Sequence, residues 1–312
     1  MKVLGQIIYK TLLFTLPVWV FVFYLEYRLN FIENSYSFKI KNFYTIKDSC
    51  ELLVLGNSQM LKGINPDLLP GVTYSMANVS QTYLVEEAFL KKYIGQMPRL
   101  KTVIIGMGYT SFGEVLENSE EEWRLAFYKK QYGLNFKNEW DIKNYSNIML
   151  YTPYESLKIV LKNFKTDLVK GFQPNGWMEI DGMDASKLTD DWARKRANIH
   201  TKGLDRINIS KNVKALKNMI NLAKQKGIKI KIVCPMVQGN YLKYLDLKWL
   251  SINDSIMRSI ENEFNLEILD YTKYPAQNLK NCFNDVDHLN KEGAKKLSLL
   301  IGKSLMKEVA GD

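Results

Sequence analysis

A serine set directly after an apolar run, and a carboxylate three residues ahead of a histidine, are the residue types that share the work of nucleophilic catalysis. Both patterns occur in this chain. Gly56-Asn57-Ser58 follows Leu52-Leu53-Val54-Leu55, and Asp285-Val286-Asp287-His288 lies near the other end. A serine hydroxyl is protonated at neutral pH and needs a base to become a nucleophile; a neutral imidazole can take that proton. A carboxylate on the other ring nitrogen fixes the tautomer and stabilises the imidazolium. Ser58 is therefore the candidate nucleophile, His288 the base and Asp285 the orienting acid. Asp287 is adjacent to His288 and is expected to point elsewhere. His200, the second of two histidines in the chain, reads as a surface or packing residue.

Such residues converge only if elements hold them at one edge of a sheet. Glu51–Gly56, Val72–Met76, Lys101–Gly106, Ile228–Val233 and Leu266–Leu269 read as strands, on apolar and β-branched runs. Thr82–Ile94, Ile207–Lys226, Leu247–Phe264 and Lys291–Val309 read as helices, the second stopped by Gly227. This alternation predicts an α/β fold with a mainly parallel sheet covered on both faces. Ligands bind such sheets beyond the carboxyl ends of the strands, which is where the Leu52–Leu55 run places Ser58. Residues 113–204 break the rhythm. They hold Trp123, Trp140, Trp177 and Trp192 and read as a largely helical insertion, the tryptophans serving packing more readily than sugar stacking.

These blocks resemble those of the SGNH/GDSL hydrolase superfamily. Gly56-Asn57-Ser58 is similar to its first block. Asp285-x-x-His288, followed by Leu289-Asn290 and Gly293, is similar to its last, and the resemblance in architecture runs over roughly residues 50–305. It implies a three-layer α/β/α flavodoxin-like fold and acyl chemistry with Ser58, His288 and Asp285 in the roles above. The middle blocks depart from the pattern. Ala77 or Asn78 stands where a glycine is usual, and Gly108 where a side-chain asparagine donor is usual. The expected oxyanion donors are therefore sought among Ser58, Ala77, Asn78 and Gly108. Losing one such donor costs about 10²–10³ in rate. The membrane anchor read below, the insertion and the altered third block are together similar to the extracytoplasmic acyltransferase branch, which includes proteins of D-alanyl-lipoteichoic acid transfer and polysaccharide O-acetylation. That resemblance implies an acyl-Ser58 intermediate and a membrane-bound O-acyltransferase partner. A non-catalytic glycan-binding or scaffold protein on the same fold is the alternative.

Residues Thr11–Leu25 carry no charge, and extended back through Val3 the apolar stretch is interrupted only by Gln6 and Lys10. About 20 residues are needed to cross the hydrocarbon core. A cleaved signal peptide competes, but Glu26-Tyr27-Arg28 follows where a small-residue cleavage site would be needed. The expected organisation is an uncleaved membrane anchor at 1–28, a polar irregular linker at 29–50, and an α/β domain at 51–312 with the insertion at about 113–204. Lys2 and Lys10 place the N-terminus on the cytoplasmic side, and so the catalytic domain outside a single-pass membrane protein.

The net charge of +10 over 312 residues suits membrane lipid, an anionic polymer or a cell-envelope polysaccharide as partner. Lysine pairs such as Lys91-Lys92, Lys129-Lys130 and Lys295-Lys296 read first as solvated faces. No helix-turn-helix, zinc or aromatic RNA-binding pattern points to nucleic acid. Two histidines and three cysteines without CxxC spacing form no metal-ligand cluster, and no motif calls for a cofactor. Cys234 reads as a core residue, and a Cys50–Cys282 bridge is left open.

Overall fold

A computed structural model describes residues 2–136, 146–151, 153–162, 169–275, 279 and 281–311. In chain order the elements are α1 (Lys2–Asn30), α2 (Ser35–Ile46), β1 (Leu52–Leu55), α3 (Ser58–Gly63), β2 (Thr73–Ser75), α4 (Tyr83–Tyr93), β3 (Thr102–Gly106), α5 (Arg124–Tyr132), α6 (Asn147–Tyr151), α7 (Pro153–Lys162), α8 (Asp190–Lys202), α9 (Ile209–Gln225), β4 (Lys229–Cys234), α10 (Gly239–Lys243), α11 (Leu247–Phe264), β5 (Ile268–Asp270) and α12 (Lys291–Gly311). The chain forms two compact units. One joins Met1–Phe38 to Trp123–Lys170, the other Lys39–Glu122 to Gly171–Asp312. The expected insertion is thus divided between them. Trp140 lies outside the described residues.

In the larger unit five strands pair in the order β2-β1-β3-β4-β5, all parallel. The sheet is nearly continuous apolar sequence because both of its faces are covered. Side chains alternate between the faces. Leu52, Val54 and Ile104 pack with Met60, Leu61, Leu297 and Ile301, where α3 lies beside α12. Leu53, Leu55, Val103 and Ile105, all fully buried, point the other way, and α4 packs beside α9. The chain leaves β1 toward β2 and leaves β3 toward β4, so the connections diverge between β1 and β3. That divergence opens a crevice at the carboxyl ends of those two strands.

Two glycines line this crevice. The Cα of Gly106 lies 3.4 Å from where a Cβ on Gly56 would sit, and the Met60 side chain occupies the space over both. A Cβ would meet Met60 Cγ at 2.3 Å from Gly56 and at 2.1 Å from Gly106. Gly56 also has φ +146°, which side-chain-bearing residues rarely adopt. β1 can therefore end in a sharp turn against β3 and hand the chain directly to α3.

Two differences from the sequence expectations have local causes, and one open question is settled. The stretch at 29–50, expected to be irregular, contains α2. Asn34 Oδ1 accepts from the Tyr36 and Ser37 N–H groups, and Tyr36, Ile40 and Phe43 are buried along one side. The last strand begins at Ile268 rather than Leu266, because α11 ends on Asn265 at φ 51° and the Leu266 N–H bonds back to Glu261 O. Cys50, Cys234 and Cys282 are free buried thiols, so the Cys50–Cys282 bridge left open above is not formed.

The smaller unit is built on the end of α1. Leu25 and Leu29 pack with Ile148 and Ile159. Glu26 caps α6, its carboxylate accepting from the Asn147 N–H at 2.7 Å, the Ile148 N–H at 3.1 Å and the Ser146 hydroxyl at 3.0 Å. Tyr36 stacks on Phe127 at 5.0 Å between ring centroids. The earlier part of α1, from Val3 to Phe21, is exposed apart from a partly covered Thr15.

In the larger unit, residues 281–290 leading into α12 are held in a compact loop. Phe283 and Leu289 form an antiparallel bridge, and the Asn284 N–H donates to His288 O at 3.0 Å. Asn290 locks this loop to the helix after it. Its Oδ1 accepts from the Glu292 and Gly293 N–H groups, and its Nδ2 donates to Asn281 O at 2.8 Å. Asn290→Ala should lower the unfolding free energy by about 2 kcal/mol, through loss of a helix cap and a buried hydrogen bond. Urea denaturation of the variant beside the parent chain measures it.

Candidate active site

Ser58 is the first residue of α3. Asn57 caps that helix by accepting from the Gln59 N–H at 3.0 Å, which fixes the turn out of β1. Ser58 Oγ lies 2.8 Å from His288 Nε2. On the far side of the ring, His288 Nδ1 is 3.0 and 2.9 Å from the two oxygens of Asp285. Asp285 Oδ1 also accepts from the Asp287 N–H at 3.1 Å and the His288 N–H at 2.8 Å. Burial alone would raise the Asp285 carboxyl. The His288 hydrogen bond and charge, with Lys62 and the Asp287 N–H, outweigh it and hold the carboxyl well below the usual range.

Of the residues considered for oxyanion stabilisation, two have their N–H groups engaged elsewhere. The Asn78 N–H donates to Gly56 O at 3.0 Å. The Gly108 N–H donates to Ser111 Oγ at 2.9 Å. Ala77 is fully buried, and its carbonyl accepts from Lys39 Nζ. The space a side chain at position 108 would fill is taken by Gln59, whose Oε1 would lie 2.5 Å from a Cβ there. The Ser58 N–H stands in the first turn of α3, where a helix supplies no acceptor of its own.

A second layer of charge lies behind His288. Asp287, only 2% exposed, turns away from Ser58 and is gripped by Arg196 of α8 through Nε at 3.0 and 3.3 Å and Nη2 at 3.2 Å. Burial opposes the Arg196 charge, and Asp287 more than offsets it, so the guanidinium stays above its ordinary value. His200, one turn further along α8, bonds Tyr241 OH through Nδ1. Its Nε2 is 3.8 Å from Asp287 Oδ2. Desolvation, helped by Arg196, pushes His200 down to about 4. Arg196 and Gln59 were not singled out from the sequence. Gln59 had one signal, its place directly after Ser58, whereas Arg196 sits in the insertion with no motif around it. Among the described residues, the one grouping with metal-ligand chemistry is Asp285, Asp287 and His288, whose donor atoms lie within 4.8 Å of one another. Those atoms already serve Ser58, His288 itself and Arg196.

Beside Asn57 is a polar pocket reached from the ends of β1 and β3, lined also by Thr82, Glu86, Gly106, Ser111 and Glu114. Glu86 is 1% exposed. Glu86 Oε2 and Thr82 Oγ1 have no hydrogen-bond partner among the described residues. Burial pushes Glu86 up to about 8 and Glu114 up to about 7, against opposing hydrogen bonds from Gln81 and Thr110 respectively.

No family model and no curated protein matches the sequence. Among solved structures, the chain is similar to a GDSL-like lipase from Bacteroides thetaiotaomicron at 12% identity, with a TM-score of 0.40 over 87% of this chain and 98% of that one. It is also similar to a candidate acylhydrolase from Bacteroides fragilis at 12% identity, with a TM-score of 0.39 over 84% of this chain and 89% of that one. At that distance neither carries a function to this chain, and the functional argument rests on the site itself.

Glu86 makes a stability prediction. Its folded value near 8 stands above the 4.5 of a free side chain, so between those values the folded state holds a proton that the unfolded state has lost. Stability should fall as pH rises through that window, by roughly a few kcal/mol. Chemical denaturation at pH 5 and pH 8 should show a clearly smaller loss for Glu86→Gln than for the parent. Equal losses in the two proteins would refute the assignment.

Proposed function

We propose that this chain is a membrane-anchored serine acyltransferase or esterase of the SGNH type. It would act through an acyl-Ser58 intermediate on a hydroxyl-bearing cell-envelope polysaccharide or polyol polymer. The observation that carries the chemistry is the unbroken line from Ser58 Oγ through the His288 ring to Asp285, set at the carboxyl end of β1. Ser58 Oγ attacks the acyl carbonyl while His288 Nε2 takes its proton. Asp285 stabilises the imidazolium and keeps Nε2 facing the serine. The developing oxyanion would be met by the Ser58 N–H at the start of α3. His288 returns its proton to the leaving oxygen, and an acyl ester on Ser58 remains. In the second half-reaction His288 deprotonates an acceptor hydroxyl, or water, which attacks that ester and frees Ser58.

The anchor is supported by the Val3–Asn30 part of α1, within which an 18-residue stretch has a mean hydropathy of 1.7. Its length, at about 1.5 Å per residue, exceeds a hydrocarbon core of about 30 Å. The positive net charge supports an anionic polymer or lipid surface as the setting. A membrane-bound O-acyltransferase as acyl donor is the partner that the extracytoplasmic acyltransferase resemblance implies. The alternative, a non-catalytic glycan-binding scaffold, draws on the engagement of the Asn78 and Gly108 N–H groups, which thins the oxyanion side.

Fluorophosphonate should label the full-length protein, and Ser58→Ala should abolish the label. His288→Ala should lower kcat/KM at least about 10³-fold with the far-UV spectrum unchanged. A parent chain that stays unlabelled and turns over no acyl donor, yet binds glycan equally as Ser58→Ala, would establish the scaffold reading instead. Transfer and hydrolysis separate on product analysis. Added acceptor polyol should divert the acyl group from free acid to ester if transfer is the native reaction.

A further inference from the structure

Two carboxylates face the His288 ring. Asp285 is bonded to Nδ1, and Asp287 Oδ1 lies 3.7 Å from the same nitrogen. A second buried anion that close favours the imidazolium, and an imidazole already protonated cannot take the proton of Ser58. Among the described residues, Arg196 is the only cation hydrogen-bonded to Asp287. We propose that Arg196 is a positioning residue that tunes the base. Resting on the reading of His288 as that base, Arg196 neutralises Asp287 and clamps its loop, so that the carboxylate 3.7 Å from the ring does not act on it as an unpaired charge.

The surroundings leave this task to Arg196. Besides Asp285 and Asp287 of its own loop, His288 has Ser58 of α3 at its other nitrogen. Lys62 of α3 acts at longer range on both carboxylates, and its own charge is disfavoured by burial. His200 of α8 lies at 3.8 Å from Asp287 but is kept neutral by desolvation and by Arg196 itself. Arg196 in turn is felt by Asp287, Asp285, Tyr241 of α10 and Glu114. Gln59 Nε2 donates to Asp287 O at 3.3 Å, a neutral bond that supports the loop without altering its charge. Arg196 has no hydrogen bond to Ser58 or to the His288 ring, so its influence passes through Asp287.

The chain has two histidines, so His200→Gln leaves His288 as the sole imidazole. In that background, using full-length protein in detergent, the His288 Cε1–H resonance can be followed by NMR as a function of pH. Adding Arg196→Met should move the titration up by about one pH unit or more. Adding Asp287→Asn as well should bring it back, because charge and countercharge leave together. Arg196→Lys should stay close to the parent. In the turnover assay, Arg196→Met should lose kcat/KM at low pH and recover most of it at high pH. A titration that stays in place in the folded Arg196→Met protein, with kcat/KM reduced equally at every pH, would overturn the proposal and leave Arg196 a merely structural clamp. The NMR titration reads this charge effect without turnover, so a parent chain lacking Ser58-dependent activity would count against the proposed function alone.

Discussion

The Asp285 carboxylate is the hinge of the whole site. One of its oxygens collects the Asp287 N–H, the His288 N–H and the His288 ring nitrogen, so the same group shapes the loop and aims the imidazole. Without those backbone bonds, the two residues between Asp285 and His288 would have many conformations in which Nε2 never meets Ser58. The Phe283–Leu289 bridge and the Asn290 cap extend the same constraint outward until it is anchored in α12. A catalytic geometry is only as precise as the elements that support it, and here the support is made largely of backbone hydrogen bonds.

Ser58 is fixed from the other side by packing. Close approach of Gly56 and Gly106, with Met60 folded over both, lets β1 end abruptly at the crevice of a doubly wound sheet. Ser58 then stands on the first turn of a helix, where unpaired N–H groups and the helix dipole both favour negative charge. Sheet topology and site chemistry are in this sense one arrangement. The strand order that separates β2 from β4 also creates the place where an oxyanion could form.

The sheet was legible because its strands are short, buried on both faces and rich in Val, Ile and Leu. Strand and helix positions agree with the apolar runs to within a residue or two. Ser58, Asp285 and His288 could be singled out because each lies in a compact local pattern. Arg196 could not, since its partner is 91 positions away and an arginine on a polar helix face looks the same whether it meets water or a buried aspartate. The N–H groups of Asn78 and Gly108 were equally opaque. Whether a backbone donor is free depends on turn bonds to Gly56 O and Ser111 Oγ, which no residue type announces. Helix α2 was hidden for a further reason: its aromatic and lysine content gives a weak apolar stripe, and the decisive Asn34 cap is a local hydrogen bond.

The Glu26 cap bears on what the N-terminal helix contributes to the small unit. Here the final turns of α1 supply Leu25 and Leu29 to a small core, and Glu26 is the acceptor for three donors at the start of α6. Without that helix the unit would lose Leu25 and Leu29 from its core, and the α6 N-terminus would lose its acceptor. The last turns of α1 are thus packing members of this unit rather than a free extension of it.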